Sequence, residues 1–157
     1  MTKKLKFILL LVFSIIFTQN IIAKENFYIK QNSEELNLDY FPKKIVTDSA
    51  IVSRFLAALD IELVGVPSST TKIPEKYKNV QRIGRSGMPD LEIVKALNTD
   101  LVVSTLYSKP VLKPKYDNLD IPSFYLKVDT YDESMEAISI LGKAFNKEEK
   151  ANDILKN

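Results

Sequence analysis

The chain has 157 residues, with 22 basic side chains against 20 acidic ones for a net charge of +2, and it contains no cysteine, histidine or tryptophan. Disulfides, thiolate metal sites, a cysteine nucleophile, a Ser-His-Asp triad and an imidazole general base are thereby excluded, and so small a charge argues against nucleic acid as a partner. Apolar residues at 45% and charged residues at 27% describe a globular chain whose length suits one domain.

Lys3, Lys4 and Lys6 precede an apolar run over residues 7–17, and a polar stretch then leads to Ala23. A basic start, a short apolar run and a small residue at the end are the pattern of a secretory signal peptide spanning residues 1–23. The run falls short of the ~20 apolar residues that cross a bilayer. Cleavage after Ala23 removes three lysines and no acids, turning the net charge from +2 to −1. No cysteine follows the apolar run, so no lipobox is present and a periplasmic location is expected.

Residues 24–42 are polar with scattered aromatics and end at Pro42, which predicts an N-terminal arm with room for one short strand. Residues 44–47 predict a strand, and Asp48 or Ser49 suits the cap of a helix carrying Val52, Phe55, Leu56 and Leu59 on one face. Residues 63–66 predict a second strand stopped by Pro67, followed by a polar loop over 68–82. A short strand over 82–84 leads through a Gly-Pro turn to a helix whose first turn holds Pro89 and Asp90. Residues 101–105 and 121–128 predict further strands, with a short proline-limited helix between them. A long helix opens near Asp129 or Thr130, its apolar stripe made of Tyr131, Met135, Ile138, Leu141 and Phe145, and Lys147-Glu148-Glu149 starts a further helical turn. Strands alternating with helices imply parallel βαβ units, hence an α/β three-layer sandwich with a mainly parallel sheet.

The stretches KKIVTDSAIVSRFLAALDIELVGVP and IPEKYKNVQRIGRSGMPDLEIVKALNTDLVVST together resemble the first lobe of the periplasmic binding proteins whose two lobes are joined by a single connecting helix. That class serves ABC importers of siderophores, cobalamin and haem, and the likeness is nearest to haem-binding lipoproteins of iron-regulated surface systems. YDESMEAISILGKAF resembles the start of the connecting helix. The resemblance covers residues 40–157 and implies an arm at 24–42, an α/β lobe at 43–128, and a connecting helix with a helical turn at 129–157. It further implies a chain truncated before its second lobe. It implies a transport protein and no enzyme: a monomer that carries haem, as the transported ligand, to a permease in the inner membrane.

In the haem-binding relatives a Met of the first lobe and a His of the second hold the iron. Met88 is the matching candidate axial ligand, one place later in its turn than theirs; as a hydrophobic staple it would instead pack at the helix start. Met135 lies on the predicted helix stripe and is expected in the core. Ser49, Ala50 and Ile51 open a helix at the carboxyl end of a strand, where backbone N–H groups suit a carboxylate. Ser69, Thr70 and Lys72 follow the next strand, and Tyr107 follows the strand over 101–105; each also suits an ordinary cap, loop or surface role. Arg82 and Arg85 suit either a carboxylate-rich ligand or neighbouring acids. A ferric siderophore or corrinoid, gripped by Arg and aromatic side chains, is the alternative ligand. Asp48, Asp90, Asp100 and Asp129 as an enzymatic metal cluster, and a secreted adaptor without a small ligand, are the remaining alternatives.

Overall fold

The alternation seen in the sequence becomes a six-stranded sheet in the computed structural model, which describes residues 26–156. Residues 1–23, read above as a signal peptide, lie outside them. A hairpin of β1 (Phe27–Gln31) and β2 (Glu34–Leu38) precedes the sheet. Next come β3 (Ile45–Val46), α1 (Ala50–Ala58), β4 (Gly65–Ser68), β5 (Gln81–Arg85), β6 (Met88–Pro89) and α2 (Leu91–Ala96). The chain continues through β7 (Leu101–Thr105), α3 (Lys109–Asp117), β8 (Ser123–Leu126), α4 (Tyr131–Ala144) and α5 (Glu148–Lys156). The strand order is β6-β5-β4-β3-β7-β8, with every pairing parallel except β5 with β6.

Strand residues alternate between faces, and here both faces are covered. Ile45, Leu101, Val103, Phe124 and Leu126 pack on one side with Val52 and Leu56 of α1 and Ile138 and Leu141 of α4. Val46, Ile83 and Val102 pack on the other with Val94 of α2 and Leu112 and Tyr116 of α3. The sheet with a helical layer on each face is the three-layer α/β sandwich.

Five local features differ from the sequence expectations. The expected arm is a hairpin built into the core: Phe27 and Ile29 are buried, and the rings of Phe27, Phe41 and Phe145 meet at centroid distances of 4.9–6.0 Å. Buried Gln31 ties this hairpin to the end of β8, accepting from Lys127 N at 2.7 Å and donating to Lys127 O at 3.2 Å. Pro67 does not stop β4. Strand β3 pairs with β4 only at Gly65, and the register with β5 shifts between Val66 and Ser68, so no ladder bond is required of the missing N–H.

Pro89 lies in β6, and Asp90 caps α2 by accepting from the N–H groups of Glu92 and Ile93. Finally, α4 starts as expected, with a Thr130–Glu133 capping box, but its stripe begins late, because Tyr131 is 76% exposed. The helix ends where Asn146 takes φ 55° and the N–H groups of Asn146 and Lys147 bond back to Lys143 and Gly142. That is a Schellman stop. Beyond it the expected single turn is a separate nine-residue helix, α5.

Candidate functional site

The chain leaves β3 toward β4 and β5 and later returns to β7 on the opposite side of β3, so the strand order reverses there. Open parallel sheets bind ligands beyond the carboxyl ends of their strands at such a reversal. A groove of about 460 Å³ occupies this place. Asp48 and Ser49, which follow β3, form one wall, and Thr105, Tyr107 and Ser108, at the end of β7 and just past it, form another. Val111 of α3 and the β5–β6 turn, residues Ser86, Gly87 and Met88, complete it.

The turn holds its shape through backbone constraints. Gly84 has φ 108° and Gly87 φ 72°, both in the region that L side chains avoid. Asp90 N donates to Ile83 O at 2.6 Å, closing the base of the turn, and Gly87 N donates to Asp48 O at 3.0 Å. The Ser86 hydroxyl donates to the same Asp48 carbonyl at 3.2 Å and accepts from Ala50 N at 3.4 Å. Met88 is thereby displayed at the groove, 68% exposed, beside Tyr107 at 92% and Val111 at 60%. It does not pack down as a staple.

Beneath the groove Asp48 is fully buried. Its carboxylate accepts from Ser104 Oγ at 2.5 Å and from the Tyr116 hydroxyl at 3.0 Å. Burial pushes the Asp48 carboxyl above its ordinary range, and these two hydrogen bonds act against that rise. The Tyr116 phenol is held far above its ordinary range, first by burial and then by the Asp48 charge.

A second concavity of about 370 Å³ adjoins the first, lined by Ser68, Ser69, Thr70, Arg85 and Ser86, so that Ser86 borders both. Ser49, Met88 and Tyr107 are therefore brought together, with Ser69 and Thr70 next door. Ala50, Ile51 and Lys72 line neither concavity. The Ala50 N–H is taken by Ser86, and Ile51 packs against the core beneath α1. Ser49 is the N-cap, its hydroxyl accepting from Val52 N. Of the two arginines, Arg82 donates to the carbonyls of Tyr77, Val80 and Lys78, and only Arg85 faces a concavity.

The four aspartates do not form a metal cluster. Asp90 is a cap, Asp100 accepts from the N–H groups of Lys43 and Lys44, and Asp48 is engaged below the groove. Among the described residues no group of three or more acidic side chains is placed to hold a metal ion. Sequence reasoning misses Ser86, Thr105, Ser108 and Val111 and gives Asp48 no role beyond a cap or a cluster member. The paired glycines around Ser86 are the available signal.

No protein-family model matches the chain. In sequence it is 30% identical over 111 residues to the high-affinity heme uptake system protein IsdE of Staphylococcus aureus strain Newman, a match covering 71% of this chain and 38% of IsdE. In structure it is similar to an ABC transporter substrate-binding protein from Listeria monocytogenes EGD-e, with TM-score 0.69 and 33% identity over 72% of this chain and 44% of that one. Against S. aureus IsdE complexed with heme the TM-score is 0.68 at 29% identity, covering 72% and 44% of the two chains. Against S. aureus SirA complexed with staphyloferrin B it is 0.65 at 25% identity, covering 82% and 45%. The chain spans less than half the length of each of these proteins. The Listeria protein is an ABC transporter substrate-binding protein and IsdE a heme uptake system protein, and the shared sequence and fold show that this chain belongs to the family of ABC-importer substrate-binding proteins.

Proposed function

We propose that the chain captures haem outside the inner membrane for delivery to an ABC permease, with Met88 as an axial ligand to the iron. The observation that carries this reading is the display of Met88. A large apolar side chain stands exposed at the reversal point of a parallel sheet, on a turn whose backbone is fixed. A thioether is a soft ligand suited to haem iron. Tyr107 and Val111 beside it offer apolar contact to a flat macrocycle, and the hydroxyls of Ser69 and Thr70 with Arg85 offer donors to its carboxylate edge. IsdE, the relative complexed with heme, supports the ligand class.

Capture outside the membrane is inferred from the signal-peptide pattern of residues 1–23. Among the described residues no helix is long and apolar enough to cross a membrane. The groove is open on one side, so one face of the macrocycle is covered and binding by this chain alone is expected to be weak. A ferric siderophore is the second reading, favoured by the Arg85-lined concavity and by the likeness to SirA complexed with staphyloferrin B.

Parallel titrations with haemin, a ferric catecholate and a ferric hydroxycarboxylate chelate, followed by absorbance and by quenching of tyrosine fluorescence, separate the two. Haemin is expected to saturate with a distinct Soret shift. Saturation by a chelate, with haemin giving only the spectrum of free pigment, would overturn the haem reading.

A further inference from the structure

The groove and the buried acid below it share one atom, the backbone carbonyl oxygen of Asp48. It accepts from Gly87 N at 3.0 Å and from Ser86 Oγ at 3.2 Å, and these are the two residues immediately before Met88. The side chain of the same Asp48 is gripped from two further elements, by Ser104 of β7 and by Tyr116 of α3. Ser86 and the carbonyl thus join the Met88 turn to the start of α1, while the carboxylate joins that point to β7 and α3. Nothing in the hydrophobic packing requires a carboxylate here. A leucine or asparagine of similar size would fill the volume without the cost of burying a charge.

We propose that Asp48, Ser86 and Tyr116 form a positioning clamp for Met88, in which Tyr116 and Ser104 fix Asp48 from below and the Asp48 carbonyl fixes the turn that presents the sulfur. Tyr116 is fully buried and lines neither concavity, so it acts on Met88 only through Asp48. Ser86 borders the groove but offers the iron no soft ligand; its hydroxyl is engaged on both sides, as donor to Asp48 and acceptor from Ala50. The clamp would hold the backbone that carries an exposed methionine at the end of a short two-strand turn. An unclamped turn would have to be ordered by the ligand at the moment of binding, at a cost in affinity. In its effect on ligand binding the clamp rests on Met88 being the iron ligand. As a feature of the turn it does not.

The test uses Tyr116→Phe and Ser86→Ala in the full chain, with Met88→Ala alongside. Amide hydrogen exchange at Gly87 reads the clamp without any ligand. Exchange is expected to accelerate about ten-fold in both variants, the loss anticipated for one hydrogen bond, while the amides of β7 stay protected. Haemin titration then reads the consequence. Both variants are expected to keep a cooperative melt and bind haemin, with a spectrum shifted part of the way from that of the wild type towards that of Met88→Ala. Unchanged Gly87 exchange in both variants overturns the clamp whatever the ligand proves to be. If Gly87 exchange rises and Met88→Ala binds haemin with the wild-type spectrum, the clamp stands and the haem reading of the site fails. If Met88→Ala loses the spectrum while Tyr116→Phe and Ser86→Ala keep it fully, the positioning role is overturned.

Discussion

Gly84→Ala is the perturbation for which the structure gives the sharpest magnitude. At Gly84 φ is 108°, and an added methyl would stand 2.9 Å from Asp90 N and 2.9 Å from Met88 O, both backbone atoms of the turn that presents Met88. Backbone at that distance cannot yield as a flexible side chain would, and Asp90 N is already committed to Ile83 O. Conformational strain alone costs about 1–3 kcal/mol, and the two clashes add to it, giving roughly 3–5 kcal/mol in all, at the top of the range for single substitutions. Gly87→Ala is the internal comparison. Its φ of 72° also disfavours a side chain, but the nearest atom to its methyl is Ser108 Oγ at 3.9 Å. About 1 kcal/mol of strain is expected there. Thermal unfolding followed by far-UV circular dichroism measures both. At about 4 °C per kcal/mol for a domain of this size, the melting points should fall by about 12 °C or more and by about 4 °C. Equal losses in the two variants would refute the steric reasoning, and with it the view that the turn is held by its own backbone.

The α4 stripe is testable by contrast. Leu141→Ala, fully buried, should cost about 2–5 kcal/mol, whereas Tyr131→Ala, 76% exposed, should stay within about 0.5 kcal/mol, both read from urea midpoints. Asp48→Asn should change the pH dependence of stability. Burial raises the Asp48 carboxyl above its unfolded value of 3.8, so its contribution is fully present below that value and is lost as pH rises through the folded one. Melts between pH 3.5 and 8 should therefore show the wild type losing ground against Asp48→Asn as pH rises, and parallel profiles would contradict the raised carboxyl. Thr130→Ala removes the hydroxyl half of the α4 capping box and should cost about 1 kcal/mol, measured in the same way.

The parallel sheet was legible because its signals are local. The β-branched residues of β3 and the apolar run of β7 announce buried strands, Thr130 and Glu133 announce a helix start, and the Pro-Asp pair announces α2. The hairpin β1–β2 was not legible because its turn uses Asn32 and Ser33 in place of the Asn-Gly or Asp-Gly that marks most two-residue turns. The end of α4 was hidden for a related reason, since Asn146 takes the left-handed position that glycine usually signals.

The place of Ser49, Met88 and Tyr107 at the groove could be read from the sequence because each closely follows a strand or stands in a glycine turn, at the strand ends where open sheets form their clefts. Asp48 and Ser86 could not be weighted from sequence. Their roles come from hydrogen bonds to partners 38, 56 and 68 residues away, which no local pattern records. Lys72 shows the opposite failure, a charged residue in a suggestive loop whose side chain the fold directs to neither concavity.

Whether Met88 ligates iron is decided most directly by nuclear magnetic resonance of the chain labelled at its methionine methyl groups. The sequence has three methionines, of which Met88 stands exposed at the groove and Met135 lies half-buried on α4. On addition of haemin, reduction and saturation with carbon monoxide, the strong-field sixth ligand that makes the iron diamagnetic in a chain without histidine, the Met88 methyl is expected to move far upfield under the porphyrin ring current, and its assignment is checked by its loss in Met88→Ala. The Met135 methyl should stay within its original envelope. A Met88 methyl that keeps its position while haemin is bound would contradict sulfur ligation and leave the groove without its proposed metal contact.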